Sequence, residues 1–230
     1  MELKKGVFYG VGVGPGDPEL MTLKAVRILT ECPVIAVPQT KSGETMALDI
    51  VRQVVPLEGK TILPLFFAME RGEAQKAAHR EAAKAIAACL DEGKDVAMPN
   101  IGDVSVYSTY CYLMELLKEQ GYETAMSAGV PSFCAVAARL GISLTTMNAP
   151  LHIIPAGGGN LEESLELPGT KVLMKSGRTL PKVAQALQEK GLLDKAAMVQ
   201  DCGLPTEAVC TDLTRLPEKT GYFATIIVKE

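Results

Sequence analysis

Tryptophan is absent from this chain of 230 residues, aromatic side chains make up 5% of it, and histidine occurs twice. So few stacking side chains argue against a surface built to hold nucleic-acid bases. The two histidines, His79 and His152, are too few and too far apart for a metal centre. His79 sits in an Ala-rich helical pattern and is expected at the surface; His152 flanks an expected strand. Lysine and arginine form no block, and the net charge is −4, which counts against nucleic acid as a partner but leaves room for a local basic trough facing an anionic small molecule. No apolar run reaches the ~20 residues that span a bilayer, and the opening "MELKK" reads as the approach to a strand instead of a secretory core. A cytoplasmic chain without membrane contact is expected. The six cysteines (Cys32, Cys89, Cys111, Cys134, Cys202, Cys210) form no Cys-x-x-Cys pair and read as reduced thiols, mostly in the core.

What is present is an alternation of apolar strands with helical patterns, the mark of layered α/β structure with parallel sheets. Strands are expected in "GVFYGVGVG", "CPVIAVP", "KTILPLFF", "KDVAMPNIGD" and "YETAMSAGVPS". Helices are expected over 18–31, where Leu20, Leu23, Val26 and Leu29 recur at helical spacing, in "TMALDIVRQVV", over 73–92, in "VYSTYCYLMELLKEQG" and in "SFCAVAARLGI". Beyond residue 148 the segments "APLHIIPAGG", "TKVLMKSG", "AAMVQDCG" and "GYFATIIVKE" read as strands, with "TLPKVAQALQEKG" as a helix among them. The expectation is two α/β domains, 1–125 and a smaller 126–230.

Glycines occupy Gly10, Gly12, Gly14 and Gly16, ahead of Asp17-Pro18. A dinucleotide loop needs Gly-x-Gly-x-x-Gly. Counted from Gly10, Gly12 or Gly14, the third glycine position is Pro15, Asp17 or Glu19, so the motif fails in every register and a Rossmann dinucleotide fold is not expected. The chemistry agrees. Pro15 and Pro18 offer no N–H to a phosphate, and Asp17 places a negative charge where the anion would sit. The glycines serve either a tight strand-to-helix turn or close approach of backbone to a ligand. A second loop, "MPNIGDVSVYSTY", turns at Gly102-Asp103 into a helix carrying Ser105, Tyr107, Ser108 and Thr109. Both loops follow strands of one parallel sheet and so lie at its ligand-binding edge. Each presents a carboxylate and neither a lysine, which favours a cationic or hydroxyl-bearing ligand over a polyphosphate. Asp103 either caps its helix or touches that ligand.

The stretch "VGVGPGDPELMTLKAVRIL" resembles the opening signature of the tetrapyrrole (corrin and porphyrin) methyltransferases that use S-adenosylmethionine. "NIGDVSVYSTYCYL", "SAGVPSFCAVAARLG", "KVLMKSG" and "LLDKAAMVQDCGLPTEAV" follow in that family's order, so the resemblance covers nearly the whole chain. Gly102-Asp103-Val104 stands where the family has Gly-Asp-Pro, and Ala128-Gly129-Val130 where it has Pro-Gly-Val, the proline being displaced to Pro131. Within the family, "YSTY" and "LLDKA…QDCG" look most like the precorrin-2 / cobalt-factor II C-20 methyltransferases of vitamin B12 synthesis. The resemblance implies two α/β domains with the cofactor in the cleft between them, a tetrapyrrole substrate and a homodimer. It implies cofactor contacts at Pro15, Ile101, Gly102, Asp103, Val106, Pro131, Ser132, Met174 and Gly203; substrate contacts are expected at Gly14, Ser108, Lys175 and Arg178.

Methyl transfer from a sulfonium needs positioning and exclusion of water, with no metal and no covalent nucleophile. The methylated carbon must then lose a proton. Asp103 is the expected catalytic carboxylate, its other role being to hold the cofactor, and Tyr107 is the expected catalytic hydroxyl that orients substrate. The substrate's acetates and propionates call for Lys175 and Arg178, with Arg71 and Arg139 as further cations. The alternatives are methylation at another ring position (C-11, C-17 or uroporphyrinogen), a non-catalytic ligand-binding homologue, and a dinucleotide-dependent oxidoreductase, which the failed glycine register disfavours.

Overall fold

A computed structural model of the chain describes residues 4–39, 45–67, 72–158, 160–215 and 221–229. The chain divides into two units, Met1–Pro131 and Ser132–Glu230, so the loop through Pro131 goes with the first unit, against an expected boundary at 125/126.

The first unit contains β1 (Val7–Gly12), α1 (Leu23–Glu31), β2 (Val34–Gln39), α2 (Met46–Val51), β3 (Thr61–Phe66), α3 (Glu73–Asp91), β4 (Val96–Asn100), α4 (Tyr110–Glu119) and β5 (Glu123–Ser127). The strands form one parallel sheet in the order β3-β2-β4-β1-β5. Side chains alternate between two buried faces. Phe8, Val34, Ala36, Val96 and Met98 pack with α3 and α4, while Val11, Val13, Ile35, Val37 and Ala97 pack with α1 and α2. Burial on both faces is why the inner strands β2 and β4 read as near-continuous apolar runs, whereas the edge strands β3 and β5 are largely exposed. The order exchanges β1 and β4 relative to the 3-2-1-4-5 dinucleotide sheet. From β1 the chain crosses towards β2, and from β4 it crosses the opposite way towards β5. The switch point, and with it the crevice that open α/β sheets use for ligands, therefore lies where β1 and β4 run side by side.

Two helix starts differ from expectation. Residues 18–31 are not one helix: Asp17 caps a single 3-10 turn, Pro18–Leu20, by accepting Glu19 N–H at 2.9 Å. Thr22 then caps α1 by accepting Ala25 N–H at 3.1 Å. Likewise α4 starts at Tyr110, leaving Ser105, Tyr107, Ser108 and Thr109 in an irregular loop. There the Asp103 and Ser108 side chains bond nearby backbone N–H groups and outcompete the first helical turn, and Tyr107 has a left-handed φ of +54°. His79, expected at the surface, is buried at 8% exposure. It packs edge-on to Phe67 and stacks on Tyr112, with ring centroids 5.1 Å apart in the latter pair, and burial lowers its pKa.

The second unit contains α5 (Ser132–Leu140), β6 (Leu151–Pro155), α6 (Leu161–Leu165), β7 (Thr170–Met174), α7 (Leu180–Glu189), β8 (Ala196–Gln200), β9 (Ala208–Cys210) and β10 (Ala224–Val228). Its sheet has the order β6-β7-β10-β8-β9. β6 and β7 are parallel, and β10 runs antiparallel between β7 and β8. The C-terminal ends of β6, β7 and β8 consequently share one edge. Ile154, Leu173, Met198, Ile226 and Val228 build its core against α6 and α7. The short elements α6 and β9 carry no sequence pattern long enough to predict. None of the six cysteines is in a disulfide; Cys32 and Cys202 are buried, whereas Cys134 is exposed. Among the described residues no helix is long and apolar enough to cross a membrane, and no group of three His, Cys, Asp or Glu side chains could hold a metal ion.

Candidate cofactor site

The loop glycines lie where backbone meets backbone. A Cβ on Gly12 would stand 2.6 Å from the Gly129 nitrogen and 2.8 Å from the Gly102 oxygen. A Cβ on Gly129 would stand 2.3 Å from that same oxygen and 2.8 Å from the Gly12 Cα. The loops after β1, β4 and β5 are thus stacked on one another at the switch point. Gly14 and Gly102 exchange two antiparallel hydrogen bonds, of 3.3 and 2.8 Å, and both have left-handed φ, +77° and +75°. Val13 N–H donates to the Asn100 carbonyl at 2.9 Å. Below them Gly10 lies against the Tyr110 ring, 2.6–2.7 Å from where its Cβ would be. The Tyr110 hydroxyl donates to the carbonyls of Phe8 (3.1 Å) and Ala125 (2.8 Å), fastening α4 across β1 and β5.

Asp103 ties two of these loops together. Its Oδ1 accepts Ser105 N–H at 2.8 Å and the Ser105 hydroxyl at 2.5 Å, and its Oδ2 accepts Gly129 N–H at 2.8 Å. Partial burial pushes its pKa up, but the Ser105 hydroxyl, Gly129 N–H and Ser105 N–H outweigh that and hold the carboxyl below its ordinary range. The group is therefore an ionised organiser at neutral pH. Asp103 does not cap α4, since Thr109 occupies that position.

Gly14, Gly102 and Asp103 come together in this cluster. Pro15 is buried beside it, and Ile101, Val106 and Pro131 are half-buried on the same loops. Ser108 is held by the fold: its hydroxyl donates to Asn100 Oδ1 at 2.6 Å and accepts Tyr110 N–H at 3.1 Å. Tyr107 is 45% exposed. In the second unit Ser132 opens α5, Met174 ends β7 half-buried, and Lys175 follows it, exposed, with φ +58°. Gly203 is exposed in the turn after β8, with φ +81°. Arg139 pairs with Glu207. Arg71 and the side chain of Arg178 lie outside the described residues.

Sequence reasoning missed Gly12 and Gly129 as a contact pair, Asn100 as the residue that anchors Ser108, and Glu207. The only local signal was a polar Asn ending an apolar strand. The loops 14–17, 101–108 and 128–131 contain no lysine or arginine. Their donor set suits a ligand that carries positive charge and no phosphate.

Over residues 7–217 the chain matches the family model of the tetrapyrrole (corrin/porphyrin) methylases. A probable cobalt-precorrin-2 C(20)-methyltransferase of Methanocaldococcus jannaschii is 38% identical over 169 residues, 73% of this chain and 71% of that protein. The cobalt-precorrin-2 C(20)-methyltransferase of Salmonella typhimurium is 29% identical over 230 residues, 98% of this chain and 97% of that protein. Among solved structures, a uroporphyrin-III C-methyl transferase of Thermus thermophilus, complexed with S-adenyl homocysteine, shares the fold with a TM-score of 0.71 at 22% identity, covering 98% of each chain. A family model spanning nearly the whole chain, together with the 38% identical relative, shows that the chain belongs to the tetrapyrrole (corrin/porphyrin) methylases.

Proposed function

We propose that this chain is the S-adenosylmethionine-dependent methyltransferase that acts at C-20 of precorrin-2 or its cobalt form in cobalamin biosynthesis. The observation that carries the reading is the likeness to two C(20)-methyltransferases, one of them along almost the full length of both chains. The loop chemistry supports the cofactor: S-adenosylmethionine carries a sulfonium, an ammonium and one carboxylate but no phosphate, and the first-unit loops offer a carboxylate to its cationic part.

The cofactor supplies a methyl group already activated by positive sulfur. The protein's task is then alignment and dryness. The stacked loops around Gly12, Gly102 and Gly129 form a rigid floor, and Asp103 holds that floor in register with both carboxylate oxygens engaged. That engagement favours Asp103 as organiser over Asp103 as the base; its ionised carboxylate is also a proposed cofactor contact. Pro15, Ile101, Gly102, Val106, Pro131, Ser132, Met174 and Gly203 are the other proposed cofactor contacts. Tyr107, exposed on a strained loop, is the proposed catalytic hydroxyl that orients the substrate. Gly14, Ser108, Lys175 and Arg178 are the proposed substrate contacts, the two cations meeting its carboxylates. A cytoplasmic homodimer that binds no nucleic acid belongs to the same proposal.

The test is calorimetry with S-adenosylhomocysteine, followed by mass spectrometry and NMR of the product from precorrin-2 and from its cobalt form. One added methyl at C-20 is expected. A methyl at another ring position, or no binding of the homocysteine, would overturn the reading.

A further inference from the structure

We infer that Glu207 is a positioning residue for the cofactor, fixing the turn that carries Gly203, and that Arg139 acts through it. This rests on the proposed reading of Gly203 as a cofactor contact. The turn after β8 is closed by a set of hydrogen bonds, and the Glu207 carboxylate reaches its tip. Asp201 leaves the strand with a left-handed φ of +49°. Leu204 N–H returns to the Asp201 carbonyl and Glu207 N–H to the Leu204 carbonyl, each at 2.9 Å. The Thr206 hydroxyl donates to Asp201 Oδ2 at 3.0 Å. At the tip, Gly203 N–H donates to Glu207 Oε2 at 2.8 Å, while Glu207 Oε1 accepts Arg139 Nε at 2.5 Å.

Three features set this arrangement apart from an ordinary surface ion pair. It joins residues 68 positions apart, α5 to the β8–β9 turn, where the helix pairs Arg27–Glu31 and Arg52–Asp49 are local. The Glu207 side chain is 22% exposed, against 60% for Glu31 and 53% for Asp49. One carboxylate oxygen is spent on a backbone N–H of a glycine that is itself exposed, so the pair fixes a piece of main chain. With its N–H committed to Glu207, Gly203 has its carbonyl as the polar group to offer a ligand. With Arg139 half exposed, the pair adds little to stability; its value here is to hold that carbonyl at one angle.

The test compares Glu207→Ala, Glu207→Gln and Arg139→Met in the full chain, reading S-adenosylhomocysteine Kd by calorimetry, KM for the methyl donor and kcat. Glu207→Ala is expected to raise Kd and KM about tenfold, the scale of one charge-assisted hydrogen bond, with the effect falling on KM more than on kcat. Glu207→Gln keeps an acceptor for Gly203, and Arg139→Met keeps the carboxylate, so each is expected to cost roughly threefold. Adding Arg139→Met to Glu207→Ala should change nothing further, because Arg139 acts through the carboxylate. If Glu207→Ala folds poorly, the Gln and Met variants carry the test alone. Wild-type affinity in the folded Glu207 variants overturns the inference and leaves the proposed function standing. Wild-type protein that binds no S-adenosylhomocysteine overturns both.

Discussion

Replacing Gly129 by alanine tests whether the three strand-end loops are held together by contact between their backbones. The new methyl carbon would fall 2.3 Å from the Gly102 carbonyl oxygen and 2.8 Å from the Gly12 Cα and carbonyl carbon. The obstacles are main chain on both sides, so no flexible side chain can swing away. Relief requires the loop after β5 to lift off the loop after β4, and that motion stretches the 2.8 Å bond from Gly129 N–H to Asp103. Overpacking of this kind costs about 1–3 kcal/mol, and a lost hydrogen bond to an ionised carboxylate about 1.5–3 kcal/mol. Because lifting the loop trades one cost against the other, a loss of about 3 kcal/mol is expected, a fall in Tm of roughly 6–12 °C for a chain of this size. Gly157→Ala is the control, since a Cβ there meets nothing within 4 Å. Thermal and urea denaturation of both variants give the comparison. If Gly129→Ala melts within a degree or so of Gly157→Ala, the loops are not in the tight register described and the explanation of the alternate glycines fails.

Asp103→Asn should cost about 2 kcal/mol at neutral pH, because the amide turns either a donor or a weaker, uncharged acceptor towards Gly129 and Ser105. The Asp103 pKa is lowered in the fold, so its contribution is complete above the unfolded value of about 4 and is lost only as pH falls through the lower folded value. Denaturation at a series of pH values should therefore show a constant gap between wild type and mutant down to about pH 4, closing only below it; a gap that instead widens as pH falls through about 6 would mean a raised pKa and revive Asp103 as the base. Tyr110→Phe keeps the ring against Gly10 and Phe8 but removes the hydroxyl that bonds the Phe8 and Ala125 carbonyls. A loss of about 1–2 kcal/mol is expected. It should not vary with pH below the alkaline range, since burial pushes this phenol up to about 12; unchanged stability would show that the carbonyls find other donors.

Apart from the short α6 and β9, the order of strands and helices in both units was legible in the chain because it follows from burial. Segments covered on two faces must be apolar throughout, and helices covered on one face must repeat at helical spacing. The failure of the dinucleotide glycine pattern was equally local, as was the lack of cations in the loops. Local reading failed where side chains compete with the backbone or choose among distant partners. Asp103 and Ser108 hold residues 105–109 out of the helix expected there. His79 looked solvated within an Ala-rich helix, but Phe67 and Tyr112 cover it.

The glycine loop shows where the two kinds of information part. That Gly12 needs to be glycine can be suspected from its neighbours; the reason, a backbone 117 residues further along at Gly129, exists only once the sheet places β1 between β4 and β5. The same holds for Asp103, whose ionised state comes from Gly129 and Ser105 N–H groups aimed at it by two different loops. Composition and periodicity act within one turn or one strand and so specify elements. Close approach of backbones and a carboxylate's pKa are properties of groups brought together from distant parts of the chain, and the order of strands in the sheet decides them.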